Sequence, residues 1–317
     1  MTPALSAVVC THDRSARVLD TVRSILASDA GELELLVIDQ SANGTVEERL
    51  ATLADPRVRH VRTETRGLSI ARNLGLRLAA SPIVALTDDD CEVDRSWAGE
   101  IRRAFEQESH IAVVFGNVLP GPVDISDGFI PSYERVAPFL ARRLADKADV
   151  EGIGACMAVR RQAAIDLGGF DELLGAGSRF RAGEDVDLTL RALVAGHWVF
   201  ETPHIRVVHH GFRRWADADA LVHSYWLGAG AALGKHVRCH PVHGLRLLAQ
   251  LGIRFVIGPS TVAASLGPKG MPRARLAAFV KGLAAGATLP VDRALGLFGP
   301  TAGTHLGTAP RGARDPD

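Results

Sequence analysis

The sequence predicts an α/β fold: a mostly parallel, twisted sheet flanked by helices, followed by a helical C-terminal extension. Three observations carry this. Short apolar runs alternate with segments whose apolar residues recur every three or four positions, the pattern of βα units that lay strands side by side in parallel. One run, Ile83-Val84-Ala85-Leu86-Thr87, has Ser81-Pro82 in front and Asp88-Asp89-Asp90 behind; an apolar run of that length suits a strand covered on both faces. Beyond Trp215 helical spacing takes over, with small residues at Gly228, Gly230 and Gly234.

Taken in order, Ala4–Thr11 reads as a buried first strand through Leu5, Ala7, Val8 and Val9. Val18, Val22, Ile25 and Leu26 then share one helical face. Leu33–Asp39 is a second strand ending in an acid, Ser41-Ala42-Asn43-Gly44 is turn chemistry, Thr45–Leu53 is helical and Val58–Arg62 is a short third strand. Leu68–Ala79 carries the helical period through Ile70, Leu74 and Leu78 and leads into the strand that ends at the three acids. Arg95–Glu108 reads as a helix and Ile111–Val118 as a strand. Leu119–Pro138, rich in Pro, Gly and Asp, breaks the alternation and reads as a long loop beside the site. Cys156–Arg160 is a strand, Gln162–Leu167 a short helix, Gly168-Gly169-Phe170-Asp171 a turn and Gly175–Gly183 a glycine-rich loop expected to be mobile. Glu184–Ala195 is a helix with Val186, Leu190 and Leu193 on one side, ended by Gly196. Trp198–Thr202 and Ile205–Val208 read as two further strands. The expected division is an α/β domain over residues 1–215, a basic and apolar helical region over 216–298, and a disordered tail over 299–317.

At 317 residues the chain can bury a sizeable core. Its formal charge is zero, so its overall electrostatics do not suggest nucleic acid as a partner. The distribution is uneven. Ala220–Val291 has no Asp or Glu and eight Lys or Arg, so the remainder carries −8, and such asymmetry points to an acidic partner for the basic part. Cys10, Cys91, Cys156 and Cys239 are widely spread without a Cys-x-x-Cys pair, which reads as reduced thiols of a cytoplasmic protein. The apolar stretch Ala4–Cys10 has no basic residues before it and runs into His12-Asp13-Arg14, so it reads as a strand and not as a signal peptide. No run of eighteen apolar residues calls for a membrane span.

Three acidic positions carry the candidate chemistry: Asp39 after the second strand, Asp88-Asp89-Asp90 after the fourth, and Glu184-Asp185 opening a helix. In a doubly wound sheet the first two lie on the same edge, where such sheets bind ligands. Carboxylates packed this closely repel one another and call for a cation. A hard divalent ion, Mg²⁺ or Mn²⁺, holding a substrate diphosphate meets that need. Asp39 is then suited to a ribose or base, Asp90 to the metal, and Asp185 to taking a proton, with Glu184 as the alternative because neighbours on a helix face different ways. The helix dipole alone also favours two acids in a first turn.

In order and spacing, the first strand, Val-Ile-Asp-Gln-Ser-Ala-Asn-Gly (37–44), the block from Arg66 to Asp90, the block from Gly183 to Gly196 and Arg-Val-Val-His-His-Gly (206–211) resemble the family 2 glycosyltransferases of GT-A, Rossmann-like fold. The resemblance covers roughly residues 4–215. It implies an inverting transfer, Mg²⁺ or Mn²⁺ as cofactor, a nucleotide-diphospho-sugar donor and a glycan or lipid-linked acceptor hydroxyl, in cell-envelope or exopolysaccharide assembly. By position it implies that Thr11, Arg14, Asp39, Arg72, Asp88 and Asp89 contact the nucleotide sugar. Asp90, Asp88 and His209 are the implied metal ligands, Asp185 or Glu184 the catalytic base, and Gly154, Ala155 and Cys156 the acceptor side.

The departures are specific. Thr11-His12-Asp13 stands where Tyr-Asn is usual, Ser41-Ala42-Asn43-Gly44 lacks an acid often present, and Cys91 stands where many relatives carry a fourth acid. Phe212-Arg213-Arg214-Trp215 only faintly echoes the Gln-x-x-Arg-Trp block of processive synthases, which points to a non-processive, bacterial-type enzyme. Two further readings have their own signals. A nucleotidyltransferase needs a glycine-rich loop after the first strand, which Cys10–Arg14 lacks; a non-catalytic binding module would not require Asp185. A calcium loop at Asp88–Gly99 fails because Val93 and Gly99 stand where Gly and Glu are needed. His209 and His210, adjacent on a strand, point to opposite faces and do not share a zinc ion. In the C-terminal third, Leu245, Leu248, Leu251, Ile253, Phe255, Leu276, Phe279, Val280 and Leu283 alternate with basic residues and no acid, as in a helix lying on an anionic membrane.

Overall fold

A computed structural model describes residues 3–13, 15–29, 31–257 and 272–299, with backbone only at 15–16, 251–257 and 272–273. The strands are β1 (Leu5–Thr11), β2 (Leu33–Asp39), β3 (Val58–Arg62), β4 (Ile83–Asp88), β5 (Cys91–Val93), β6 (Ile111–Pro120), β7 (Gly128–Phe129), β8 (Phe139–Ala141), β9 (Cys156–Arg160), β10 (Trp198–His209), β11 (Arg213–Arg214), β12 (Val291–Asp292) and β13 (Leu297–Phe298). The helices are α1 (Ser15–Leu26), α2 (Thr45–Ala51), α3 (Leu68–Leu78), α4 (Trp97–Gln107), α5 (Arg161–Asp166), α6 (Glu184–Val194), α7 (Ala218–Cys239), α8 (Pro241–Ile257) and α9 (Pro272–Thr288).

Among the described residues the main sheet runs β3-β2-β1-β4-β9-β6-β10-β5, with β8 also on β10. β3, β2, β1 and β4 are mutually parallel, as are β6 and β10. β9 lies antiparallel between β4 and β6. The chain between β6 and β9 contains no α-helix among its described residues, and an antiparallel return needs no helical crossover. The sheet is buried on both faces. Leu5, Ala7 and Val9 of β1 pack with Val18, Val22, Ile25, Trp97 and Ile101 of α1 and α4. Val8, pointing the other way, packs with Leu76, Ala163 and Leu188 of α3, α5 and α6. Gly75 lets α3 settle onto β1, since a Cβ there would lie 2.5 Å from Val8 Cγ1.

Two expectations differ from the structure, and α3 buries more than its apolar period. The two strands expected between Trp198 and Val208 are one, β10, with a register shift between Glu201 and Arg206; Pro203 cannot donate to the ladder there, and a bulge carries the strand past it. On α3, Leu74 and Leu78 pack against the core, and Ser69, Ala71, Arg72, Asn73, Gly75 and Leu76 are buried more deeply still. Its polar members are satisfied by loops: Ser69 donates to the Leu174 carbonyl at 2.7 Å, and Asn73 exchanges hydrogen bonds with the Phe170 backbone at 2.8 and 2.9 Å. Gly175–Gly183, expected to be mobile, is pinned by Leu68 N–H on the Ala176 carbonyl and by buried Phe180 stacked on Phe298.

The C-terminal helices pack on the sheet domain rather than apart from it. α7 meets α9 backbone to backbone: a Cβ at Gly230 would lie 2.2 Å from the Phe279 carbonyl oxygen, and one at Gly234 2.1 Å from that of Leu283. Arg14, residues 258–271 and the tail beyond 299 lie outside the described residues, as do the side chains of Leu251, Ile253 and Phe255.

Candidate active site

β1 and β4 pair in register Cys10 to Asp88, so their carboxyl ends open side by side. Thr11 donates to Asp89 Oδ2 at 2.6 Å, and both residues are buried. This turns the middle acid inward and leaves Asp88 and Asp90 to face different partners. Asp88, a third exposed, lies toward Arg72. Asp90 is buried, and its carbonyl accepts the His210 amide at 2.8 Å, which ties the end of β4 to the end of β10.

That tie brings in His209. β5 and β10 pair in register Cys91 to His209, and ligand atoms of Asp90, Cys91 and His209 lie within 4.8 Å of one another. His209 Nδ1 is 2.9 Å from the Pro131 carbonyl, which can only accept, so Nδ1 carries a proton. Nε2 then faces Asp90 Oδ1 at 3.3 Å. Burial by itself would lower the His209 pKa, but the Asp90 hydrogen bond and charge, with Asp88 and the Pro131 carbonyl, hold it above its ordinary value. A neutral imidazole would aim a lone pair at a carboxylate, so this pair requires a positive charge between its atoms: a proton or a metal ion. A ligating histidine whose other nitrogen donates to a backbone carbonyl is the usual support of a metal site. The carboxylate fits Mg²⁺ or Mn²⁺, and the imidazole suits the transition metal Mn²⁺ better than the harder Mg²⁺; Cys91, whose thiol burial keeps protonated well above its ordinary pKa, is a poor ligand for either. Gly211 closes the chain over the pair, for a Cβ there would lie 2.3 Å from His209 Nε2.

The second acidic group is joined to the first by one side chain. Arg72, buried in α3, donates from Nη1 to Glu184 Oε1 at 3.1 Å and from Nη2 to the Gly154 carbonyl at 3.1 Å, with Asp88 Oδ1 3.4 Å away. Its guanidinium lies over the Phe170 ring at 5.4 Å. Glu184 is buried; desolvation first, then the Asp185 charge, push its pKa up to about 7 against the pull of Arg72. Asp185 is half-buried: Oδ2 accepts the Gly154 amide at 2.9 Å and Oδ1 accepts the Val186 amide at 2.7 Å. The two neighbours thus divide, Glu184 toward Arg72 and the half-buried Asp185 toward the Gly154 amide.

Of the three acceptor-side residues, Gly154 touches both Arg72 and Asp185, whereas Ala155 and Cys156 sit in the core. The Cys156 thiol faces Trp97 and Gly116, and burial pushes it up to about 12. Asp39 pairs in register with Thr11 at the same edge, yet it is fully buried, with Oδ1 on the Ser41 amide at 2.8 Å and Oδ2 3.0 Å from His60 Nε2. His210 turns away to Glu92 at 2.8 Å. One supporting residue was not anticipated. Glu201, 1% exposed, accepts the Glu151 amide at 2.9 Å and the Tyr133 hydroxyl at 3.2 Å, and pairs with Arg135 at 2.6 Å, which fixes the turn carrying Gly154. A lone acid inside Trp198-Val199-Phe200-Glu201 was its signal.

The family model described as Glycosyl transferase family 2 matches residues 6–168. The glucosyl-dolichyl phosphate glucuronosyltransferase of Haloferax volcanii is 26% identical over 235 residues, 71% of this chain and 75% of that one. The O-antigen biosynthesis protein RfbC of Myxococcus xanthus is 28% identical over 253 residues, 73% of this chain but 19% of that one. Among solved structures, the mannosyltransferase PcManGT of Pyrobaculum calidifontis, in complex with GDP-Man and Mn²⁺, superposes with a TM-score of 0.59 at 19% identity over 89% of this chain and 88% of that one, a likeness of fold.

Proposed function

The chain belongs to glycosyl transferase family 2, and from that premise we propose a metal-assisted, inverting transfer of a sugar to an acceptor hydroxyl, with Asp185 as base. It is a glycosyltransferase, and its donor is a nucleotide sugar. The observation that carries the finer reading is the Arg72 guanidinium, which joins the acid ending β4 to the acids opening α6 and so makes one site of them.

In this reading the acceptor oxygen bonds to the anomeric carbon as the bond from that carbon to the diphosphate oxygen breaks. The electron pair leaves with the nucleoside diphosphate, and the hydroxyl proton passes to Asp185. One base opposite the leaving group makes the displacement single and inverting. Asp185 suits the role because its carboxylate is oriented by the Gly154 and Val186 amides and keeps lone pairs free for the acceptor. Glu184 is spent on Arg72. Mg²⁺ or Mn²⁺ bound by Asp90 and His209, with Asp88 beside them, would offset the charge developing on the leaving diphosphate. Thr11, by holding Asp89, keeps the acids on either side of it apart.

A glycan or lipid-linked acceptor of cell-envelope or exopolysaccharide assembly fits the names of the Haloferax and Myxococcus relatives. A peripheral seat on the cytoplasmic face of an anionic membrane would suit such an acceptor. Supporting it, Val242, Leu245, Leu276 and Val280 are all more than half exposed on α8 and α9, beside exposed Arg246 and Lys281. No helix among the described residues is long and apolar enough to cross a membrane. Lys235, one of the eight basic residues of that acid-free stretch, is buried in ion pairs and takes no part.

The test is a melting-temperature titration with UDP, GDP, dTDP and CDP, each with Mn²⁺ or chelator. A ligand at 100 times its Kd stabilises by about 2.7 kcal/mol. One nucleotide should stabilise only with metal, and Asp90→Asn and His209→Ala should each remove that metal-dependent part. No stabilisation by any of the four would sink the assignment of the donor site.

A further inference from the structure

Lys235 lies in α7, 1% exposed. Its Nζ donates to Asp171 Oδ2 and lies 2.7 Å from Asp187 Oδ1. Asp187 Oδ2 accepts from Arg191 Nε at 2.8 Å, and the two terminal nitrogens of Arg191 donate to the Leu167 and Gly169 carbonyls at 2.6 and 2.7 Å. Asp171 Oδ2 also accepts the Phe298 amide at 2.8 Å. Two carboxylates are thus balanced by two cations, all four nine-tenths or more buried. Removing four charges from water gains little stability in itself. What such a network supplies is a single register between the elements it joins: α7, α6 and the turn at Asp171.

The same face of α7 touches α6 a second time. Gly228 precedes Lys235 by seven residues, two helical turns. A Cβ at Gly228 would lie 2.3 Å from the Ala182 carbonyl oxygen, and one at Gly183 would lie 2.8 Å from the Gly228 carbonyl carbon. Gly183, with φ of 92°, adopts the left-handed conformation that suits glycine. α7 therefore grips α6 on both sides of Glu184 and Asp185: at Ala182–Gly183 just before them and at Asp187 just after. Glu184 in turn reaches β4 through Arg72.

We propose that Lys235 is a positioning residue for the transfer: through Asp187 and Asp171 it fixes the first turn of α6, and with it the placement of the Asp185 carboxylate against the acids ending β4. This rests on the reading of Asp185 as base. It also makes the helix after residue 215 part of the catalytic unit rather than an appendage.

Lys235→Met leaves Asp171 and Asp187 with one cation. Lys235→Met/Asp171→Asn restores the charge balance but not the tether. Each is assayed for Tm and for Mn²⁺-dependent release of nucleoside diphosphate from whichever UDP-, GDP-, dTDP- or CDP-hexose the wild type consumes. A misplaced base should lower kcat by about 10-fold or more in both variants, with donor KM changed less than about twofold. That loss should persist in the double variant even where Tm recovers. Recovery of kcat together with Tm would overturn the proposal, leaving Lys235 a role in stability alone.

Should Lys235→Met not fold, Gly228→Ala pushes α7 from the Ala182 carbonyl without touching a charge. It must show the same fall in kcat at unchanged donor KM; a wild-type kcat overturns the proposal. If the wild type consumes no donor, the reading of Asp185 as base fails on its own, and hydrogen exchange tests the placement of α6. In Gly228→Ala the amides of residues 183–188 should exchange about 10-fold or more faster while those of 84–88 stay as in wild type; unchanged exchange at 183–188 overturns it.

Discussion

Arg72 Nη1 lies 3.1 Å from Glu184 Oε1, and both side chains are buried. One guanidinium of α3 therefore holds the acid next to the proposed base and, through Asp88, the acids at the end of β4. Arg72 is the charge that keeps Glu184 ionised against burial, so above about pH 7 the protein without it must bind a proton there, at a cost of about 1.4 kcal/mol per pH unit. Arg72→Met should lose stability on that scale in urea unfolding, and Arg72→Met/Glu184→Gln should recover a large part of it. A double variant no more stable than Arg72→Met would show that the pairing with Glu184 is not what Arg72 contributes.

Asp185 and Glu184 are adjacent but do different things, which separates their variants. Asp185→Asn keeps the shape and can still accept the Gly154 amide, yet cannot take a proton. Turnover should fall by about 10²–10⁴-fold, while the melting-temperature response to nucleotide and Mn²⁺ stays as in wild type. Loss of that response together with turnover would make Asp185 a structural residue.

What was legible in the sequence was what lies along one dimension. The apolar run ending at Asp88, the glycine after α6 and the acids opening it are local patterns, and the strands and helices they predict are present. The division of labour among the acids was not legible. Asp88 and Asp90 separate because Thr11 takes Asp89 and because β5 pairs with β10, which brings His209 across more than a hundred residues. Apolar periodicity found Leu74 and Leu78 of α3, which pack against the core, but it counts only apolar residues and so missed Ser69, Arg72 and Asn73, buried by partners distant in sequence. In the sequence Lys235 is only one of eight bases in an acid-free stretch: its charge is visible there, but Asp171, 64 residues away, is not visibly its partner.

His236, beside that network, is 4% exposed and sets a pH dependence. Burial first, then His240, His243 and Lys235, lower its pKa from 6.5 to about 4. Between those values the unfolded chain binds a proton that the folded chain refuses, so stability falls as pH drops from about 6.5 to 4. The full shift corresponds to about 3 kcal/mol. Chemical unfolding at pH 7 and pH 4.5 should therefore show a smaller acid loss in His236→Leu than in wild type. Equal losses would remove His236 as a source of acid sensitivity.

The apolar residues exposed on α8 and α9 give the last prediction. Val242 and Leu245 sit in the first turns of α8, and Leu276 and Val280 lie one turn apart on α9, each 51–62% exposed. Exposed Arg246 and Lys281 stand beside them, and no acid occurs between Ala220 and Val291. Water gains nothing from such exposed residues, whereas an anionic bilayer gains both the apolar area and roughly 1 kcal/mol for each basic residue near its surface. The protein should float with vesicles containing anionic lipid, less so at high salt, and little with neutral ones. Leu245→Glu/Val280→Glu adds two charges where apolar contact is needed and should abolish flotation without changing Tm or nucleotide binding, because both sites already face water. Flotation that survives the double substitution would place the membrane contact elsewhere on the chain.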